Sequence, residues 1–447
     1  MLAASARLAA AEVVRDIVVE GNTKTTTPTV ELIARLDVGD DWQADSMERI
    51  KTFLQSSGLF SEIDGFTEPC GPDTSPKCDE PGVRVHLTVK DKHSWIIAPA
   101  FYNQPTNTGG GVGFGENNLF GENQKLLLYG QVATGDSFFI GAWVIPSIAG
   151  TRFYSQLDTY LKTSRVFEYE VPHGYTDASP AAIRQSRMNY LNAGYKLGVE
   201  LFRGLKLDAR LRGAHVNYQD VASLTNDARA FGPGVDVKNP PKPGKEGWDV
   251  SNEISLQLDR RANWQGVETG YKYQTSVEYS VPKLGSDFHY WIYNLSLYRA
   301  WQVLEHHNLV LKGGFHLGHD LPFQQEFTMG GSSMRGYVNS EFRGDLNVTA
   351  NVEYSFPLFT VFGLSVRGLG FFDSGYTTFR DADNPERNYL ANSAYGDNSK
   401  LAPFKNSVGV GIRLFLQQIV IPLLGVDFGY GLEARDFQMY LAIGLTD

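Results

Sequence analysis

The chain has 447 residues, 42% of them apolar and 13% aromatic, with 46 glycines and a formal net charge of −10. A mean hydropathy of −0.25, with no run of about 18 uncharged residues, excludes a helical membrane protein. The acidic balance has no local Lys/Arg cluster to offset it and excludes nucleic acid as a partner, since phosphate binding needs a basic face.

Residues 1–13, opening MLAASARLAAA, read as the remnant of an export signal or a short disordered lead-in. Residues 14–91 have the pattern of a small α+β domain. Asp16–Asn22 is predicted as a strand ending in the Gly21-Asn22 turn. Thr27-Pro28 offers an N-cap and a proline at the first helical position, Val30, Ile33, Ala34 and Leu36 follow at helical spacing, and Gly39 is the expected stop. A second helix is predicted over Ala44–Ser57, with Met47, Ile50, Phe53 and Leu54 on one face and Gly58 at its end. Phe60–Phe66 and Val83–Val89 read as strands, completing the order strand, helix, helix, strand, strand. Cys70 and Cys78 bracket a short polar loop and fit a disulfide formed in an oxidising compartment such as the periplasm, with two unrelated thiols as the alternative.

From residue 92 to 447 the periodicity changes to two, and no helix is predicted. Tyr271, Tyr273, Thr275, Val277 and Tyr279 share one face, while Lys272, Gln274, Ser276 and Glu278 share the other. Val408, Val410, Ile412 and Leu414 alternate with Gly409, Gly411 and Arg413; Val426, Phe428 and Tyr430 alternate with Asp427, Gly429 and Gly431. The last segment sets Phe437, Met439, Leu441, Ile443 and Leu445 against Gln438, Tyr440, Ala442, Gly444 and Thr446. These segments are long enough to cross a bilayer at a tilt. Short joints (Pro282–Ser286, Phe356–Val361) alternate with long polar loops (Gln219–Gly247, Gly318–Glu341, Gly375–Pro403). The expectation is mainly β: a transmembrane antiparallel barrel of about sixteen strands behind the small domain. A long soluble all-β repeat protein is the competing architecture.

Several motifs stand in order along this barrel. The loop 318–341 contains Met329-Gly330-Gly331-Ser-Ser-Met-Arg335-Gly336-Tyr337, and a later strand reads Phe371-Phe-Asp373-Ser-Gly375. Together with Asn117-Asn-Leu-Phe-Gly121, the Gly21-Asn22 turn and the Gly58-Leu-Phe60 step, they resemble the outer-membrane protein assembly family of BamA and TamA type. In that resemblance the first domain is a single polypeptide-transport-associated (POTRA) repeat, and 318–341 is the loop folded into the barrel. Parity places Glu353 on one face with Thr349 and Asn351, and Asp373 with Ser365 and Arg367, so both carboxylates point into the lumen. Two carboxylates on neighbouring strands invite a guanidinium, which can bond them bidentately. The resemblance implies the same pairing, with Arg335 reaching Glu353 and Asp373, and Gly330, Gly331 and Gly336 allowing the loop to turn tightly.

In relatives the first and last strands meet at a weak seam. Pro99, in the expected first strand, lacks the N–H for a ladder bond, so Pro99 and Gly444 are candidate seam residues; a bulge that adjusts curvature is the other reading of Pro99. No nucleophile motif, phosphate loop or metal-ligand spacing is found, so the expectation is a protein that is not an enzyme and uses no cofactor or metal. The resemblance implies a bacterial outer-membrane insertase or translocase with its first domain in the periplasm. Its partners would be membrane lipids, unfolded β-barrel or secreted clients, and periplasmic chaperones or accessory proteins. A dedicated secretion pore or passive channel is the alternative, and an anchor for a separate enzyme is a third.

Overall fold

The computed structural model describes residues 12–72, 80–104, 106–169, 182–227, 231, 235–264, 267–361, 364–380, 404–416 and 422–443. These fall into two compact units. One takes residues within 1–96, 114–126 and 143–151, the other those within 97–113, 127–142 and 152–447.

In the first unit a four-stranded sheet is built from β1 (Glu12–Glu20), β2 (Asp41–Trp42), β3 (Phe60–Cys70) and β4 (Gly82–Asp91), in the order β2-β1-β4-β3. β1 runs parallel to β4, which requires a crossover, and α1 (Thr27–Ala34) and α2 (Ser46–Ser57) supply it. Alternate residues Val83, Val85, Leu87 and Val89 pack against Val30, Ala34, Ile50 and Leu54 in a closed core. Burial of each larger side chain there contributes about 1.5–3 kcal/mol.

Thr26, one residue before the expected cap, accepts from Thr29 N at 3.3 Å, and Pro28 sits in the first turn. Helix α1 ends at Ala34, well before Gly39, because Arg35 takes a left-handed φ of 53° and its amide returns to Leu32 O at 3.2 Å. Gly39 belongs instead to the turn that leads into β2, a strand absent from the expected order, and its amide donates to Val14 O at 2.8 Å. Cys70 is disulfide-bonded; its expected partner Cys78 lies outside the described residues.

The barrel strands are β5 (Trp95–Gln104), β6 (Asn107–Leu119), β7 (Gln124–Ala133), β8 (Asp136–Ile145), β9 (Phe153–Tyr169), β10 (Ala182–Phe202), β11 (Leu205–Ser223) and β12 (Gly247–Asp259). A short β13 (Ala262–Trp264) pairs with the start of β14 (Val267–Ser280). There follow β15 (Tyr290–Leu304), β16 (His307–His319), β19 (Leu346–Val361), β20 (Leu364–Thr378), β21 (Lys405–Leu416), β22 (Pro422–Gly431) and β23 (Asp436–Ile443). The small pair β17 (Phe327–Met329) and β18 (Phe342–Gly344) lies in the loop between β16 and β19. Apart from β13, sixteen strands close into one antiparallel ring in which β23 meets β5.

Alternation sorts the two sides of the wall. Val408, Val410 and Ile412 are 41%, 62% and 44% exposed, whereas Ser407, on the other face of the strand, is fully buried. Apolar side chains so accessible on a closed ring belong in lipid. Two expected joints are corrected. Phe356–Val361 is the end of β19, bent by a register shift between Pro357 and Phe359. Pro282–Ser286 is a tight 3₁₀ turn, but strand direction puts it at the end of the barrel that carries the long loops. Short turns at the opposite end include 203–204 and 305–306.

Candidate functional site

The loop between β16 and β19 enters the ring as a β17–β18 stem, with Thr328 opposite Arg343. Beyond the stem, Gly330 to Tyr337 make a compact turn closed by Gly331 N donating to Tyr337 O at 3.0 Å. Gly330, Gly331 and Gly336 all hold positive φ (122°, 67° and 96°). Gly336 has a second constraint, because an added Cβ would lie 2.6 Å from Gly431 N on the wall. Both conditions require glycine.

The turn delivers Arg335, only 5% exposed, to three carboxylates. Nε and Nη2 donate to the two oxygens of Asp373 at 2.9 and 2.8 Å, and the Arg335 backbone amide adds a third contact to Asp373 at 3.2 Å. Nη1 lies 2.7 Å from Glu353 Oε1 and 3.5 Å from Asp427 Oδ2. The guanidinium also lies over the Phe371 ring, 3.5 Å from its centroid. Asp373 is fully buried and the fork spans both its oxygens, the geometry in which a buried charge is fully compensated.

The sequence marks Phe371 only as part of its motif and does not mark Asp427 as a partner of Arg335. Asp427 is shared, since Arg413 bonds it at 2.6 and 2.7 Å. Its place on the Gly425, Gly429, Gly431 face was the available signal. Those glycines matter as space. A Cβ on Gly429 would meet Gly336 N at 2.6 Å and Arg335 C at 2.8 Å. Gly375 is spacing of the same kind, because a Cβ there would lie 2.3 Å from Met329 Sδ.

Tyr337 is buried, and its hydroxyl donates its one proton to Glu433 Oε2 at 2.5 Å, with Asn406 O also within 3.0 Å. Tyr440, on β23, accepts from Gly336 N at 3.1 Å and donates to Tyr337 O at 2.7 Å. The loop is thereby bonded to the last strand of the ring. Glu341 closes the turn by accepting from Val338 N at 2.8 Å. Its other oxygen is buried with no hydrogen-bond partner among the described residues, and burial pushes its carboxyl up to about 7.

At the ring closure Leu441, Ala442 and Ile443 are in register with Asn103, Tyr102 and Phe101. Pro99 stands two residues beyond Phe101 in β5, and Gly444 lies outside the described residues.

The model of the Omp85 superfamily domain matches residues 118–440. The chain belongs to the Omp85 superfamily. Its fold is similar to that of BamA from Haemophilus ducreyi lacking POTRA domains 1–3, at a TM-score of 0.65 and 14% identity over 97% of this chain and 84% of that one. It is also similar to CdiB from Acinetobacter baumannii, at a TM-score of 0.64 and 15% identity over 97% and 74% of the two chains. CdiB from Escherichia coli follows at 0.55 and 12% identity, covering 99% and 92%. No curated protein sequence matches the chain. This Omp85 protein is an outer-membrane β-barrel with a small α+β domain ahead of the ring, in a superfamily of insertases and translocases.

Proposed function

We propose that this Omp85 protein inserts or exports client polypeptides through the seam between β23 and β5. The chain is read as an export-signal remnant or lead-in (1–13), a POTRA-like periplasmic domain (14–91) and a barrel (92–447). β3 is an edge of its sheet, and an extended client segment can add to it by β-augmentation. Unfolded β-barrel or secreted proteins are the clients, delivered by periplasmic chaperones or accessory proteins. Burial of apolar strands in lipid drives the step, so no nucleotide is called for.

The observation that carries this reading is the attachment of the Arg335-Gly336-Tyr337 turn to β20, β22 and, through Tyr440, β23. Docking of the loop and the position of the seam strand are therefore joined by hydrogen bonds. Vesicles containing only this protein should speed the folding of an unrelated outer-membrane barrel. Oxidising an Asn103→Cys/Leu441→Cys pair, which the register places opposite each other, should abolish that acceleration and reduction should restore it. Absence of acceleration by the unmodified protein, with steady ion conductance that the oxidised pair leaves unchanged, overturns the proposal in favour of a dedicated secretion pore or passive channel.

A further inference from the structure

The inward loop has a second arm, and we propose that it is a strut fastened to two separate stretches of the barrel wall, with the far attachment adding its own hold on the closed lumen to that of Arg335. Residues 320–326 leave β16 and dock away from the Arg335 site. Leu321 and Phe323, 0% and 3% exposed, enter an apolar cluster with Val216 and Tyr218 of β11 and with Tyr290 and Ile292 of β15. Phe323 meets the Tyr218 ring edge-on at 5.6 Å between centroids. Gly318 leaves the space for Leu321, because a Cβ there would lie 2.4 Å from the leucine side chain.

A polar lock sits beside this cluster. Gln325 Nε2 donates to Asp249 Oδ2 at 2.8 Å, and Tyr218 donates to Gln324 Oε1 at 3.2 Å. Asp249 is fully buried on β12, where Tyr290 donates to its other oxygen at 2.8 Å and Arg212 lies at 3.3 Å. The arm is tied back to the stem by Arg343. Its guanidinium bonds Glu326 at 2.9 Å and Phe323 O at 2.7 Å, and lies over the Phe323 ring 3.8 Å from the centroid.

Around the ring the order from the far lock to the near one is β12, β14, β15, β16, β19, β20, β21, β22. Asp249 on β12 therefore lies four steps from Glu353 on β19, five from Asp373 on β20 and seven from Asp427 on β22, in a ring of sixteen. One element bonded to two separate stretches of the wall spans the lumen between them. Two attachments also set the release equilibrium together, because each adds its own free energy to docking and loss of either shifts the loop towards release. The inference uses the barrel and its loop alone and holds whichever cargo the protein carries.

The test is ion conductance of the purified protein in planar bilayers bathed in potassium chloride. Phe323→Ala/Gln325→Ala should raise the open fraction about ten-fold or more with Arg335 intact, since a hydrogen bond to a buried carboxylate and an aromatic contact are lost. Adding Arg335→Ala should raise it further. A far-arm variant that folds and conducts as the unmodified protein does overturns the proposal. A cross-link covers the case in which that variant fails to fold. A Cβ on Gly244 lies 2.8 Å from Phe323 Cβ, within about 1 Å of disulfide spacing. With Gly244→Cys/Phe323→Cys in the Arg335→Ala background, oxidation should keep the channel closed and reductant should open it. Conductance unaffected by oxidation of that pair again refutes the strut.

Discussion

Replacing Arg335 by alanine should release the near arm of the loop while leaving the barrel wall intact. The cost is concentrated on one group. Asp427 keeps Arg413 at 2.6 Å, and Glu353 keeps Lys312 at 3.6 Å. Asp373, fully buried, loses both side-chain donors and, among the described residues, retains only the Arg335 backbone amide, which is itself part of the loop. Leaving one partner of a buried ion pair uncompensated costs about 3–5 kcal/mol, and the Phe371 stacking adds about 1–2 kcal/mol more. The equilibrium for undocking residues 330–341 should therefore shift by roughly three to five orders of magnitude. Hydrogen exchange in detergent, read by mass spectrometry on peptides from 330–341, measures that shift directly. Peptides from β19 and β20 should keep their protection. Asp373→Asn combined with Arg335→Ala should recover part of the loss, because the stranded charge is then gone. Unchanged exchange over 330–341 in Arg335→Ala would refute the reasoning, and so would a double variant worse than the single one.

Gly429→Ala should produce a similar loss of protection with Arg335 present, since its Cβ would meet loop backbone at 2.6 and 2.8 Å, where nothing flexible can yield. Protection equal to that of the unmodified protein would mean that the wall glycines are not spacers. Arg335→Lys should fall between arginine and alanine in the same assay, because a point charge keeps the attraction but cannot fork across both Asp373 oxygens. Glu341 makes docking pH-dependent. Its docked carboxyl is raised to about 7, chiefly by burial. Its contribution, on the order of 3 kcal/mol, is therefore fully present below about 4.5 and lost as pH rises through 7. Exchange over 330–341 should speed up across that window and become flat in Glu341→Gln; a Gln variant with the same pH slope would show that another group titrates.

Period-two alternation made the barrel readable because side-chain parity is a local property of a strand. It also put Glu353 and Asp373 on the lumen side before any contact was known, since each needed only its own neighbours. Facing partners are a property of the ring. Asp427 meets Arg335 across 92 residues, and that meeting depends on closure and strand stagger, which no local pattern encodes. The glycines divide along the same line. Gly336 marks its own turn, whereas Gly429 is informative only once the segment opposite it is known. Local chemistry misled where two signals competed. Gly39 looked like a helix stop, but Arg35 had already turned left-handed four residues earlier and left the glycine to the next turn. Pro357 and Pro282 both read as joints, though one sits at a bulge inside β19 and the other caps a turn at the long-loop end.

The distribution of buried charge links fold to mechanism. The described lumen ion pairs at Arg335 and Arg212 both fasten the same loop, one directly and one through Asp249. Buried pairs are weak sources of net stability but costly to break singly. Hydrophobic contacts alone would let the loop slide along the wall, whereas forked bonds to fixed carboxylates give it discrete docked and released states. Gly429 and Gly431 on β22 add to this, because a Cβ on either would meet the loop backbone at Gly336. Tyr440 joins the docked position to the strand that closes the ring.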